Sequence, residues 1–261
     1  MTLALALRAA DGLVLATDSR VTGGPQRSAD ISQKFLQVNR DLGVMTYGLA
    51  VPGYKGMTRL VNEVNPPNQR RLAYFSEIAV LAENVFREEY NAWLGALSPE
   101  ERGMVQPMSV GFILGGYDSN ETSQFRVLHW GSPAFQMDER PDVMAAQWHI
   151  SGFLSKLFYY QEISVAQLKR YAMLCLTETS SVEPTVGGPI QMATVTLAEG
   201  FKRIYEQEIH QLLLKNQNCH GSLRAHLREL ILLLAERPKT PDFTTQQITT
   251  CWIAVSMSCG G

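Results

Sequence analysis

Met1-Thr2-Leu3-Ala4-Leu5-Ala6-Leu7-Arg8-Ala9-Ala10-Asp11-Gly12-Leu13-Val14-Leu15-Ala16-Thr17-Asp18-Ser19-Arg20-Val21-Thr22 decides how the whole chain reads. From Thr2 to Arg8 large and small apolar residues alternate, the period of a strand with one face in a core. Asp11-Gly12 is a hairpin turn signal. Leu13 to Ala16 is a second strand, and Thr17 to Thr22 closes it in a polar run. The hairpin folds the second strand back along the first, so Thr2 and Asp18 meet at the same end. Met before a small residue such as Thr is normally removable. Once it is gone, Thr2 carries a hydroxyl and a free amine on one residue. That amine titrates near 7.7–8.0 when unperturbed, close to the best value for a general base at neutral pH. A hydroxyl alone is a poor nucleophile and must lose its proton during attack.

The stretch "ADGLVLATDSRVTGG" at Ala10 to Gly24, with a Thr just before the first strand, resembles a proteasome β-type subunit. More narrowly, it is similar to the bacterial proteasome-like proteins of the N-terminal-nucleophile (Ntn) hydrolase superfamily. The resemblance continues in Lys34, in "YGLAVPG" at Tyr47 to Gly53, in "SVGFILGGYD" at Ser109 to Asp118, and in "VGGPIQMATVT" at Val186 to Thr196. It covers roughly residues 2 to 215. It implies an α+β fold: a four-layer αββα sandwich, two antiparallel sheets between two helical layers, with the catalytic Thr at one end of the sheets.

The same resemblance implies a set of roles. Thr2 is the nucleophile. Lys34 matches a catalytic lysine whose cation stabilises the alkoxide and lowers the amine's pKa. Asp18 matches the aspartate that keeps this lysine charged and aimed. Gly48 matches the residue whose backbone N–H forms an oxyanion hole. Ser151 matches a serine that relays the amine proton, with helix N-capping as the equal reading of the residue itself. Arg20 and Thr22 match structural and substrate-backbone positions, the Thr bonding a bound peptide as an added strand. Val21, Leu36, Thr46, Ala50 and Tyr54 match the walls of a specificity pocket for a modest apolar side chain. The pattern departs at Glu183 and Val186, where the family has Asp and Ser before a Gly-Gly. Glu183 keeps the charge on a longer arm; Val186 loses the hydroxyl.

Composition sets the bounds. The 261 residues suit one large domain or one plus a small extension. An apolar fraction of 45% and a charged fraction of 18% are those of a soluble globular protein. No run approaches eighteen apolar residues, and no basic region precedes an apolar N-terminal core, so neither a membrane span nor a signal peptide is expected. A net charge of -2 gives no electrostatic case for nucleic acid. Cys175, Cys219, Cys251 and Cys259 lack metal-ligand spacing and imply a reduced cytoplasmic setting. The histidines show no HExxH spacing, and no G-x-S-x-G elbow occurs. No metal or cofactor is called for.

Further along, Gly23 to Ser32 reads as a polar loop. Lys34 to Val38 and Val44 to Ala50 read as strands around a turn at Asn39 to Gly43. Gly53 to Val64 reads as a helix, as does Glu77 to Leu97 capped by Ser76. A helical turn starts at Ser98-Pro99. Strands follow at Ser109 to Tyr117 and Phe125 to Trp130, and a strand or loop within Ala134 to Gln147. Helices are expected at Ser151 to Tyr160 and from Ser164 to Thr179. Strands at Ile190 to Thr196 and Phe201 to Ile204 precede helices at Glu206 to Asn216 and Ser222 to Arg237, with an edge strand within Thr244 to Ser256. Strands grouped with strands and helices with helices favour layered α+β architecture.

Residues 1–215 are thus expected to form a proteasome-like domain, and 216–261 a helix-strand extension packed on it. The expected activity is that of a threonine-type endopeptidase acting on peptides or unfolded protein. The chain would act within a homo-oligomeric ring or related array, with any unfoldase partner unspecified. The rivals are a non-catalytic assembly subunit and an Ntn amidohydrolase acting on a small amide.

Overall fold

The structure, a computed structural model, describes residues 2–23, 26–29, 33–67, 71–105, 108–118, 124–146 and 162–215. The expected helices at Ser151 to Tyr160 and Ser222 to Arg237, and the terminal strand, lie outside these residues.

The opening hairpin forms as its alternation and turn dictate. β1 (Leu3–Ala9) pairs antiparallel with β2 (Gly12–Thr17), with Ala4 opposite Thr17 and Ala9 opposite Gly12. β10 (Asp142–Ala146) flanks β1, and β11 (Gln191–Thr196) and β12 (Gly200–Ile204) extend the other side. The second five-stranded antiparallel sheet runs β5 (Phe35–Gln37), β6 (Leu42–Gly48), β7 (Val110–Tyr117), β8 (Phe125–Gly131) and β9 (Asp138–Arg140).

Alternation allots side chains to three apolar layers. Leu3, Leu5, Leu7, Val14 and Ala16 face α4 (Val165–Val182) and a helix over 206–215. Val44, Phe112, Leu114 and Trp130 face α1 (Ala50–Val64) and α2 (Phe75–Gly95). Ala4, Ala6, Leu13, Leu15, Met45 and Ile113 fill the space between the sheets. β1 is therefore buried on both faces, not on one as the strand pattern alone suggests. Its small residues meet the facing sheet and its leucines meet helices. This is the αββα sandwich, α+β in class.

Three local readings change. The expected loop after Thr22 contains a two-stranded ribbon, β3 (Val21–Gly23) with β4 (Gln26–Ala29). α1 starts at Ala50, because Pro52 falls in the first turn, where its missing N–H costs nothing. α2 starts at Phe75 with Tyr74 at its N-cap, not Ser76. The Phe75 N–H donates to Asp118 Oδ2 at 3.0 Å, a cap from far along the chain. Two further caps are local. Ser98 and Glu101 exchange bonds at the start of α3 (Pro99–Val105), and Ser164 and Gln167 form a capping box on α4.

Candidate active site

The site grows from the ends of the two sheets. Beyond the last residues of the β1–β2 hairpin, Asp18 N–H donates to Leu3 O at 3.4 Å, and Leu3 N–H donates to Asp18 Oδ1 at 3.0 Å. The pairing thus continues past the strand and locks Asp18 beside Thr2. Lys34 enters from the second sheet. Its carbonyl accepts the Thr46 N–H at 2.9 Å, which continues the β5–β6 pairing.

Lys34 Nζ donates to Thr2 Oγ1 at 2.8 Å, to Asp18 Oδ1 at 3.1 Å and to the Arg20 carbonyl at 2.6 Å. Thr2, Asp18 and Lys34 are 3%, 1% and 5% exposed, so this ion pair sits out of bulk water. Burial pulls the Lys34 pKa below its ordinary value; the Asp18 charge and hydrogen bond oppose that pull, and Arg20 adds to it. Asp18 Oδ2 accepts the N–H groups of Arg20 and Gly187, both at 3.1 Å. Each carboxylate oxygen therefore has two donors, which offsets the desolvation of a buried charge.

Arg20 works through both backbone and side chain. Its N–H and that of Ser19 donate to the Gly187 carbonyl at 2.9 and 3.1 Å. Its guanidinium donates to the carbonyls of Pro184 and Val186 at 2.6 and 3.1 Å. A side chain at Gly187 would run into that guanidinium. Val186 is buried in the helical-side core. Glu183 ends α4, and its carboxylate accepts the Thr185 N–H and hydroxyl at 3.1 and 2.6 Å. Those bonds hold its pKa below the usual carboxylate value.

Gly48 ends β6 with φ of 83°, and a side chain there would collide with the Ser109 carbonyl. Antiparallel pairing sets this end of β6 beside the start of β5, and so beside Lys34. Leu36 and Thr46 lie on the face turned to α1. Leu36 packs against that core, and Thr46 touches Gly53 and donates its hydroxyl to the Gly111 carbonyl at 3.0 Å. Ala50 and Tyr54, one turn apart on α1, are exposed. Val21 is half-buried at the start of β3, and the Thr22 backbone follows it. Ser151 lies outside the described residues.

The sequence reading used Gly187 only as a marker and missed Gln191. Gly187 donates to Asp18; Gln191 Oε1 accepts the Lys34 N–H at 3.1 Å. The available signals were a glycine pair before a strand and a polar residue opening an apolar one.

The fold is an αββα sandwich with Thr2, Asp18 and Lys34 gathered at the ends of its two sheets. Among solved structures, the chain is similar to Anbu (ancestral beta-subunit) from Yersinia bercovieri: TM-score 0.66, 19% identity, covering 92% of this chain and 99% of that one. It is also similar to an Anbu (Gly-1) mutant from Hyphomicrobium sp. strain MC1: TM-score 0.68, 14% identity, covering 93% and 100%. No family model and no curated protein sequence matches the chain. These likenesses correct the resemblance drawn from the N-terminal motif. The structural neighbours are Anbu proteins, proteasome-like but a family distinct from the proteasome β-type subunit. At these identities the likeness establishes the fold.

Proposed function

We propose that the protein is an N-terminal-threonine hydrolase that cleaves peptide bonds through an acyl-enzyme on Thr2. The observation that carries this reading is the contact of the Lys34 ammonium with Thr2 Oγ1 at 2.8 Å while it also bonds Asp18. An ammonium has three protons and no lone pair. Lys34 therefore donates to the hydroxyl and cannot also accept its proton.

Removal of Met1 turns the Thr2 nitrogen into an amine, the base that takes the hydroxyl proton directly or through one water. Oγ1 attacks the substrate carbonyl, and the Gly48 N–H receives the negative oxygen. The tetrahedral intermediate collapses, the leaving amine takes the proton from the Thr2 ammonium, and an ester remains on Oγ1. Water, deprotonated by the same amine, then hydrolyses the ester and regenerates the hydroxyl. Lys34 lowers the energy of negative charge on Oγ1 in both halves. In this reading Val21, Leu36, Thr46, Ala50 and Tyr54 line the side of the site that meets the substrate side chain, a modest apolar group. The name of one structural neighbour, a beta-subunit, supports action within an assembly of copies.

The test is Thr2→Ala, assayed on short fluorogenic peptides and with a reagent that labels N-terminal Thr, alongside intact mass of the parent protein. The expected result is a parent lacking Met1, labelled on Thr2, and a variant whose turnover falls to background. Equal turnover by parent and variant refutes the reading.

A further inference from the structure

We infer that Gln191 is a positioning residue for the Thr2 chemistry, fixing the Lys34 backbone so that one ammonium meets nucleophile and aspartate together. This rests on the reading of Thr2 as the nucleophile and extends it to a residue outside the reacting set.

Gln191 is the first residue of β11 and pairs with Thr17, the neighbour of Asp18. It thus belongs to the sheet that carries Thr2 and Asp18. Lys34 belongs to the chain entering the other sheet. Gln191 Oε1 accepts the Lys34 N–H at 3.1 Å. A backbone N–H can only donate, so the amide must present its oxygen. On the other side, the Lys34 carbonyl accepts the Thr46 N–H. The Lys34 backbone is therefore gripped from both sheets at once, its N–H by the first and its carbonyl by the second.

That grip bears on the chemistry because a lysine side chain is long and rich in rotamers. The Asp18 and Arg20 acceptors define where the ammonium sits only if the root of the side chain is fixed. The same stretch, Val186 to Gln191, also donates the Gly187 N–H to Asp18 Oδ2. One segment thus holds both the backbone under the cation and one oxygen of the anion. The amide is neutral, so it orients without adding charge, and a charged isostere reveals whether the contact operates.

The experiment compares Gln191→Leu, which removes the acceptor, with Gln191→Glu, which keeps one and adds an anion. In Gln191→Leu, kcat on a short peptide falls about tenfold with KM unchanged, the signature of an interaction needed only at the transition state. In Gln191→Glu, kcat returns to within about threefold of the parent, and the alkaline limb of its pH profile moves up, since an added anion favours protonated lysine. A second measurement needs no turnover: NMR titration of the Lys34 ε-carbon in protein carrying labelled lysine, with the midpoint rising in Gln191→Glu. A midpoint that stays in place, or a KM rise with kcat unchanged in Gln191→Leu, overturns the inference. Absence of Thr2-dependent hydrolysis in the parent refutes the functional reading instead; the lysine titration then still tests the contact between residue 191 and Lys34. Should Gln191→Leu fail to fold, the Gln191→Glu titration alone decides it.

Discussion

Three acceptors converge on Lys34 Nζ, and two of them, Asp18 Oδ1 and the Arg20 carbonyl, stay in place throughout the proposed reaction. This fixes the direction of proton flow and the pH dependence. The Thr2 amine must be neutral to act as base, so activity rises as that amine loses its proton, which an ordinary α-amine does near 8. Lys34 must stay charged to support the alkoxide, so activity falls as pH climbs through its pKa. Burial holds that pKa below the ordinary lysine value. The expected kcat profile is a bell whose alkaline limb lies below about 10.4. Asp18→Asn removes the charge that props the lysine up, so the limb moves to lower pH. The substitution also breaks a buried ion pair, which costs about 3–5 kcal/mol when one partner is lost. Paired pH profiles and thermal unfolding of the two proteins check both effects. An alkaline limb that does not shift would mean that Lys34 does not govern it.

At the scale of elements, the legible features were those whose signal is local. The hairpin at Asp11-Gly12 and the Ser164 cap of α4 follow from neighbours in the sequence, and both formed as read. The start of α2 was not legible, because its cap is Asp118, 43 residues away, which reads on its own as a turn residue. The β3–β4 ribbon was missed because its strands are short and polar, without an apolar alternation to mark them. In the site, Asp18 was legible from hairpin arithmetic, while Gln191 acts through a contact between sheets that no spacing announces. Gly48 is the element end proposed to receive the oxyanion. Gly48→Ala puts a side chain at φ of 83° and against the Ser109 carbonyl. The expected cost is about 1–3 kcal/mol, a fall in Tm of roughly 2–12 °C for a chain of this size. If its N–H receives the oxyanion, kcat falls about 100-fold. Calorimetry and peptide turnover measure the two separately, and full activity in a folded variant would remove Gly48 from the oxyanion role.

For the whole molecule, the layered class was readable because strands and helices cluster along the chain. The likeness to Anbu structures was not, because residues 2–22 encode a hairpin and part of a charge pair but not the path of the remaining backbone. Superposition of 92–93% of the chain on Anbu structures supplies that path. The assembly proposed from this likeness predicts a native mass several times the 29.1 kDa of one chain, measurable by light scattering coupled to size exclusion. A monodisperse 29.1 kDa species with full activity would refute it. One consequence of the sandwich reaches the chemistry from a distance. Lys34 rides on one leaf, and Thr2 and Asp18 on the other. The leaves close to hydrogen-bonding range because Ala4, Ala6, Gly43 and Gly115 keep bulk out of the seam between them. The seam acts as a caliper whose jaws are the Thr2 hydroxyl and the Lys34 ammonium, set by the smallest residues in the protein. A single methyl wedged deep inside would open the jaws at the tip, drawing Lys34 away from Thr2 and Asp18 while those two stay side by side.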